Sequence, residues 1–352
     1  MGKYRNRILL GFGIAFVIYV GMLLLTNTEE LIGHLRSYPW TLLFPLIGLK
    51  MISWAFRFWE WHYYLGVIGA RDKISLFDSA VIFISGFTMT VSPGKIAEVL
   101  KAVILKVKTG VPVAVSAPVV IAERVVDGIA VLVITLGALV LAGDQIDFGA
   151  YRPLIFLSVG LIVVGLVAVQ IEPLAYFFLN LLKRLPVVKR FHPPLVDFYE
   201  SSREIFKLKH VIPTAAMGVV AYIADAIGFT LILSGFGLEI TWLLFLQATF
   251  IAGFSAAIGA LSGVPNGAGV TEVSGSAMIM ALIAPGNPAL TASAALTAAV
   301  IEGFFHKWFR VLVGLVVAIV YRKRLFPAEV EQTLNEMETA RASRGQAATE
   351  TV

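Results

Sequence analysis

The sequence predicts an all-α polytopic membrane protein made of two inverted repeats, and three observations lead to this class. Of the 352 residues, 58% are hydrophobic and 14% are charged, whereas about 25% of a soluble domain is charged. Two Pro/Gly breaks, "VSPGKIAEV" at 91–99 and "GVPNGAGVTE" at 263–272, recur at matching places in the two halves. The distribution of lysine and arginine predicts that each broken segment returns to the membrane face from which it started.

The first half starts with a helix and a second span. Apolar runs occupy residues 8–25, 40–66, 75–92, 112–142, 153–171, 211–236, 240–262, 265–284 and 289–321. The first run follows a basic start, which places the N-terminus in the cytoplasm. Because this run lacks a small-residue cleavage site, we interpret it as a retained helix. The loop 26–39 carries Glu29 and Glu30 and is predicted to lie outside.

The stretch 75–108 is predicted to begin and end on the cytoplasmic side. Basic residues lie on both sides of its break, at Arg71, Lys73, Lys95, Lys101, Lys106 and Lys108. A single crossing at 75–92 would leave the later lysines outside. A re-entrant hairpin that turns at Pro93 and Gly94 keeps them in the cytoplasm.

The second half repeats this order from the other face. The acidic loop 143–152 lies outside, and the basic segment 172–210 is a cytoplasmic interfacial segment whose part 195–208 forms a helix on the membrane surface. Loops 236–241 and 284–289 lack Lys and Arg, so the broken stretch 240–284 begins and ends outside. The "YRKRL" at 321–325 is cytoplasmic. The polar tail 328–352 is expected to be a frayed helix or disordered.

The chain is therefore interpreted as one transmembrane domain, residues 1–327, with repeats at about 8–142 and 153–321. Each repeat has three spanning helices and one re-entrant pair, giving six spans and two hairpins, or eight spans if the hairpins count as crossings. An odd number of spans inverts the second repeat, as in many transporters. The alternative is eight plain crossings with a chance likeness between two Pro/Gly turns.

Charged side chains inside the apolar runs form the first candidate sites, because each costs about 2.5–3.5 kcal/mol to insert. Arg57 and Glu60 share a helix face, either for function or as an ion pair in an aromatic belt. Glu123 and Asp127 lie one turn apart beside Arg124. This group predicts a partner from another helix or a substrate headgroup, and its alternative is a purely structural network.

Glu302, His306 and Arg310 are four residues apart and form one polar stripe, which could carry protons because histidine titrates near neutral pH. The alternative is packing against other polar helices, with Lys307 and Arg310 extending to an interface. Asp225 is a lone intramembrane carboxylate, expected to pair with one of these basic groups. The proton-relay or gating candidates are Glu302, His306, Arg310, Arg57, Glu60 and Asp225.

The two breaks predict an anion site. A helix that restarts in mid-membrane exposes backbone N–H groups, which attract anions. Gly267 and Gly269 allow close backbone approach. Glu98 and Glu272 are expected to pair with a cationic group, or with Arg57 or Arg124. Such a site suits a zwitterionic or phosphate-bearing lipid headgroup.

These motifs resemble the transmembrane flippase region of the lysylphosphatidylglycerol synthase family. The similar segments are "SPGKIAE", "ERVVDG", "KRLP" and "GVPNGAGVTE", over about residues 5–325, with Lys95 where the family often has Arg and with Asn266 and Ala268 in a turn that is often richer in Gly. The resemblance implies a stand-alone member without the soluble synthase domain, which moves a lipid between leaflets. The predicted substrate-binding residues are Pro93, Gly94, Lys95, Glu98, Glu123, Arg124, Asp127, Pro265, Asn266, Gly267, Gly269 and Glu272.

We therefore expect a lipid translocase of the inner cell membrane, with both termini cytoplasmic and a polar cavity between the repeats. The substrate is a phospholipid, an aminoacyl phospholipid or a polyprenyl phosphate, and the basic loops contact anionic lipid. We expect no cofactor, no metal and no nucleic acid, and a homo-oligomer is possible. The sequence lacks a Walker A motif, so energy comes from a gradient or downhill flow.

Two alternatives stay open. An intramembrane lipid-modifying enzyme could use the Glu, Asp, His and Arg groups for acid–base chemistry. Its signals are missing, since the chain has no HExxH and no Asp-rich prenyltransferase motif, and "DGIAVL" at 127–132 lacks the arginine and later aspartates of phosphatidyl alcohol transferases. A scaffold or regulatory subunit would leave the intramembrane charges without a purpose.

Overall fold

A computed structural model of the protein describes residues 28–90, 99–143, 192–287 and 290–325, with a few isolated positions between 13 and 173. These parts are helical and contain no strand, which confirms the all-α class. The helices are α1 (Thr28–Ser37), α2 (Leu43–Val67), α3 (Leu76–Met89), α4 (Val99–Thr109), α5 (Val113–Ala142), α6 (His192–Ile205), α7 (Leu208–Ser234), α8 (Trp242–Leu261), α9 (Val270–Leu282), α10 (Ala292–Gly303), α11 (Phe309–Val320) and α12 (Arg322–Leu325).

Within the described residues, five helical segments are long and apolar enough to cross a membrane. They are Trp40–Val67, Val113–Ala142, Leu208–Ser234, Trp242–Leu261 and Ala292–Val320. Each agrees within a few residues with a predicted apolar run. Most of the runs at 8–25 and 153–171, the predicted outer loop at 144–150, most of the basic segment 172–191 and the polar tail lie outside the described residues.

Helices α2 and α7 pack against each other and run antiparallel. At one end the Tyr38 hydroxyl, just before α2, donates to the Ile232 carbonyl near the end of α7. At the other end Tyr64 near the end of α2 hydrogen-bonds Thr214 near the start of α7, at 2.9 Å. These helices hold equivalent places in the two predicted repeats, so their opposite directions support an inverted repeat.

The two ends of the first broken segment lie close together. Asp78, in the first turn of α3, lies 3.2 Å from the Nζ of Lys108 at the end of α4. Arg324 of α12 donates to the same carboxylate from the C-terminal end of the described chain. The tip of this segment, residues 91–98, lies outside the described residues, so its re-entrant path stays a prediction.

The second broken segment also closes on itself. The Gln247 side chain at the start of α8 donates to the Leu282 carbonyl at the end of α9, at 2.6 Å. A 13-residue helix such as α9 is about 20 Å long, which is shorter than the bilayer core of about 30 Å. Helix α8, with 20 residues, is long enough to cross alone, so the two limbs differ in length.

The two halves exchange contacts reciprocally. Helix α5, which ends the first repeat, packs against α8 of the second, and α11, which ends the second, packs against α3 of the first. This exchange supports the predicted repeat order.

Two apolar clusters lie at opposite ends of α2. One cluster includes Leu46 with Phe229 and Phe250, and the other includes Trp61 with Ile82 and Ile104. Between them α2 carries polar residues, so a polar layer crosses the middle of the protein. The functional candidates lie in this layer.

Helix α6 is close to the predicted interfacial helix at 195–208 but ends at Ile205. Leu208, expected on its apolar face, is instead the exposed first residue of α7. Ile205 is fully buried, and Ser201 donates to the Val115 carbonyl of α5 at 2.7 Å. The apolar face of α6 therefore packs at least partly on protein, and its place at the membrane surface stays a prediction.

Candidate functional site

The centre of the polar layer is an ion pair between α2 and α7. The Nζ of Lys50 lies 2.7 Å from Oδ1 of Asp225, and both side chains are buried. Ser53 donates to the other oxygen, Oδ2, at 3.1 Å. Arg57 approaches that same oxygen at 3.8 Å. Asp225 is thus a fully engaged carboxylate, whose nearest partner is a lysine that the sequence interpretation did not include.

Asp127 of α5 is the second carboxylate of the layer. Arg57 Nη1 makes a short ion pair with its Oδ1, and Arg124 Nη1 lies 3.3 Å from its Oδ2. The guanidinium of Arg57 also lies over the ring of Tyr222, 4.4 Å from its centroid. The predicted partner from another helix is therefore Arg57.

Arg310 of α11 completes what we call the arginine cluster, Arg57, Arg124 and Arg310. It lies within electrostatic range of Asp127 and of both other arginines. Its Nη2 donates to Asn266 Oδ1 at 3.4 Å. Among the described residues, no carboxylate lies within ion-pair distance of Arg310, and its buried Nε has no hydrogen-bond partner. Its charge is therefore not neutralised by a direct partner.

Asn266 lies in the break between α8 and α9, where the backbone is left-handed. Asn266 has φ 54°, and the flanking glycines Gly267 and Gly269 have φ 62° and 77°. Asn tolerates this region better than most residues. An added Cβ at Gly267 would come within 3.2 Å of the Gly259 Cα of α8, so glycine permits the close approach here. The buried Asn266 Nδ2 has no hydrogen-bond partner.

Glu272, in the first turn of α9, pairs with Lys307. The Nζ of Lys307 lies 2.5 Å from Oε1 of Glu272, and both residues are buried. Thr271 donates to the other carboxylate oxygen at 3.0 Å. Glu272 was expected to pair with a cationic group, or with Arg57 or Arg124, and the cation in this pair is Lys307. Lys307 is held inside the protein by this pair, so its side chain does not extend to a membrane interface.

Glu123 of α5 forms another buried pair, with Lys101 of α4 at 2.7 Å. The ammonium of Lys101 lies 4.1 Å from the centroid of the Trp61 ring. Lys101 is thus buried in the protein, and its predicted place on the cytoplasmic side stays a prediction. Glu60 is also buried, and its Oε1 has no hydrogen-bond partner. It does not pair directly with Arg57.

Of the third predicted set, Glu302 and His306 line a cavity of about 50 Å³, and Arg310 is not part of its lining. The Nδ1 of His306 lies 3.7 Å from Oε1 of Glu302 and 3.8 Å from Oδ2 of Asp225. A π-helical turn, Phe304–Trp308, lies between α10 and α11. Such turns shift the helix register by inserting a residue, so His306 and Lys307 both face the polar layer.

Most of the predicted residues therefore meet in one layer, in separate groups. Glu123 joins Lys101, Asp127 joins the arginine cluster, Glu272 joins Lys307, and Glu302 joins His306 with Asp225. Four predicted residues lie outside the described residues: Pro93, Gly94, Lys95 and Glu98. The residues that sequence reasoning missed are Lys50, Lys101, Tyr222 and Thr271. Lys50 could have been found as a charge within the run 40–66.

The site offers no cluster of metal ligands among the residues that the structure describes. Its chemistry is that of charged hydrogen-bonding groups, buried where water is scarce. It can bind an anion at the arginine cluster and hold protons around the cavity.

Comparison with known proteins identifies a family for this chain. The chain matches the lysylphosphatidylglycerol synthase TM region family over residues 8–314. No curated protein and no solved structure matches it. Because the match covers most of the chain and includes both breaks and the whole polar layer, this integral membrane protein belongs to the lysylphosphatidylglycerol synthase transmembrane region family.

Proposed function

We propose that the protein is a lipid translocase that moves a phosphate-bearing lipid between leaflets through its polar layer. The observation that carries this proposal is Arg310, a cation without a carboxylate partner in the described residues, beside the break before α9. A free cation in this place would be costly unless a ligand neutralises it.

Three kinds of anion-binding group converge at this break. Arg310 supplies a guanidinium, which suits phosphate oxygens in a bidentate way. Asn266 supplies a buried amide donor without a partner. The N-terminus of α9 supplies backbone N–H groups and the positive end of the helix dipole. Together they favour a phosphate diester over a neutral headgroup.

The other charges of the polar layer are already paired within the protein, and we infer that this allows the substrate site to be exposed to the two membrane faces in turn. Half-helices that meet at mid-membrane are typical of transporters whose substrate site is exposed alternately. The cavity of about 50 Å³ has room for a few waters and is smaller than a headgroup, so it must widen before a headgroup can enter. We place the protein in the inner cell membrane, with its termini in the cytoplasm, and propose no chemical change to the lipid.

A scrambling assay tests the proposal. Purified protein is placed in phosphatidylcholine vesicles with fluorescent phosphatidylglycerol, an aminoacylated analogue or a polyprenyl phosphate, and outer-leaflet label is quenched over time. We expect at least one phosphate-bearing lipid to exchange, and Arg310→Gln, Glu272→Gln and Glu123→Gln to slow exchange about tenfold or more, as loss of a charged hydrogen bond implies.

Arg36→Gln is the matched control, because Arg36 lies on α1 and is exposed. Its rate is expected to equal that of the wild type. If no lipid moves in the wild type, with or without a pH gradient, the translocase proposal fails. Mass spectrometry of the same vesicles then tests for a chemically altered lipid, the outcome that an enzyme would produce.

A further inference from the structure

The cavity beside His306 is lined by polar groups from several helices. Its polar lining is Tyr222, Asp225, Ser255, Thr271, Glu302, His306 and Lys307. A volume of about 50 Å³ holds a few water molecules. Ser255 Oγ is buried there without a hydrogen-bond partner, which is the usual condition of a group that binds an internal water.

Glu302 differs from the other carboxylates around this cavity. Asp225 is neutralised by Lys50 at 2.7 Å, and Glu272 by Lys307 at 2.5 Å. Within the described parts of the chain, the only basic group within 4 Å of Glu302 is His306, at 3.7 Å. Glu302 makes no hydrogen bond to a described residue. The negative charge of Glu302 is therefore balanced by a proton, which is held either by Glu302 itself or by the His306 imidazole.

Several other charged groups near this pair already have ionic partners. On α2 Lys50 is paired with Asp225, and Arg57 is paired with Asp127 of α5. On α9 Glu272 is paired with Lys307. The others that face the pair are Tyr222 of α7 and Arg310 of α11, whereas the charged residues of α1, which packs on α10, are exposed: Glu29, Glu30 and Arg36.

We propose that this cavity is a proton-binding site, in which Glu302 and His306 take up one transported proton and link it to binding of the phosphate headgroup at the arginine cluster. The inference rests on the proposed function for its second half. The proton comes from water on one side and returns to water on the other, and only O–H and N–H bonds form and break.

The link between the two sites is a single oxygen atom. Asp225 Oδ2 lies 3.8 Å from His306 Nδ1 and 3.8 Å from Arg57 Nη2. A proton taken up by either Glu302 or His306 makes the surroundings of this oxygen more positive by one charge, which weakens the hold of Asp225 on Arg57. More of the Arg57 charge is then available to the headgroup. By thermodynamic linkage, a bound phosphate strengthens proton binding by the same factor, so the two travel together.

Infrared difference spectroscopy tests the proton site without any lipid transport. Detergent-purified protein is compared between about pH 9 and about pH 6, a range that spans histidine titration. We expect a protonated carboxyl band that is lost in Glu302→Gln and retained in the matched control Glu239→Gln, whose side chain is exposed. If Glu302→Gln fails to fold, Glu302→Asp replaces it as the test variant. Because aspartate keeps a carboxyl group, we expect the frequency of the protonated carboxyl band to shift in Glu302→Asp. An unchanged band in Glu302→Gln and Glu302→Asp overturns the site.

The linkage is tested with fluorescent phosphatidylglycerol in phosphatidylcholine vesicles. A pH gradient, acidic on the labelled side, should raise the wild-type rate about fivefold or more. Glu302→Gln and His306→Asn should lose this response, and Glu239→Gln should keep it. Transport that ignores the gradient overturns the linkage and leaves the translocase intact. Absence of transport, together with a Glu302-dependent infrared band, overturns the proposed function and the linkage but not the proton site.

Discussion

Lys50 Nζ lies 2.7 Å from Asp225 Oδ1, and this buried pair joins α2 to its antiparallel partner α7. Removing one partner leaves an uncompensated buried charge, which costs about 3–5 kcal/mol. We expect Lys50→Met and Asp225→Asn each to lower the melting temperature in detergent. The double variant should be more stable than the sum of the two losses implies. Simple additivity of the two losses would show that the pair does not couple the helices.

Gly303 leaves room for Glu272. A Cβ at position 303 would lie 2.2 Å from Glu272 Oε1, so Gly303→Ala must displace the carboxylate from Lys307. We expect a loss of about 1–3 kcal/mol and slower lipid exchange. Gly137→Ala is the control, because Gly137 lies within α5 and a Cβ there meets nothing within 4 Å. Equal melting temperatures for both variants would contradict this account.

Asn266 has two roles that substitution can separate. Gly adopts a positive φ readily, so Asn266→Gly keeps the backbone of the break and removes only the amide. Asn266→Ala removes the amide and strains the backbone. We expect both variants to lose exchange of phosphate-bearing lipid, and only the alanine variant to lose stability. Normal exchange by Asn266→Gly would exclude the amide from the anion site.

Because the chain has no cysteine, single cysteines can report the membrane side of each broken segment. Asp72→Cys and Lys106→Cys flank the first segment, and Glu239→Cys and Gly286→Cys flank the second; all of these positions are exposed. An impermeant maleimide should label the first pair from the cytoplasm and the second pair from outside. Labelling of Asp72→Cys and Lys106→Cys from opposite sides would favour the plain crossings.

Glu204, at the end of α6 and outside the membrane-spanning segments, predicts a pH effect on stability. Hydrogen bonds from Lys207, Lys209 and His210 lower the pKa of Glu204 from 4.5 to about 2. The stabilisation is fully present above the unfolded value and disappears as the pH falls toward the folded value. Because 39% of this side chain is exposed, solvent screening limits the effect to at most about 1 kcal/mol.

The measurement compares the melting temperature of Glu204→Gln with the wild type from about pH 7 to about pH 3. We expect the variant to be slightly less stable at neutral pH, and the difference to shrink as the solution becomes acidic. Added salt should shrink it as well. A difference that grows in acid would mean that these contacts do not favour the charged carboxylate.

The sequence by itself determined the membrane class, the approximate ends of the described helices and the break between α8 and α9. These are local properties: an apolar run must be helical in lipid because its backbone groups have no other partners, and the positive φ angles of Asn266, Gly267 and Gly269 interrupt the helix between α8 and α9. It also identified most of the intramembrane charges, including Glu123, Asp127, Asp225 and Glu302, because a charge within an apolar run is visible without a structure.

Only the tertiary structure decided how these charges are paired. Lys50 and Asp225 are 175 residues apart, and Lys307 reaches Glu272 rather than an interface because a π-helical turn alters its direction. Partner choice depends on which helices pack and in what rotation, and a few degrees of rotation moves a side chain to another neighbour. The sequence therefore identified the charged groups whose burial costs free energy. Helix packing decided that Arg310 has no carboxylate partner among the described residues and that Glu302 lies beside the titratable imidazole of His306.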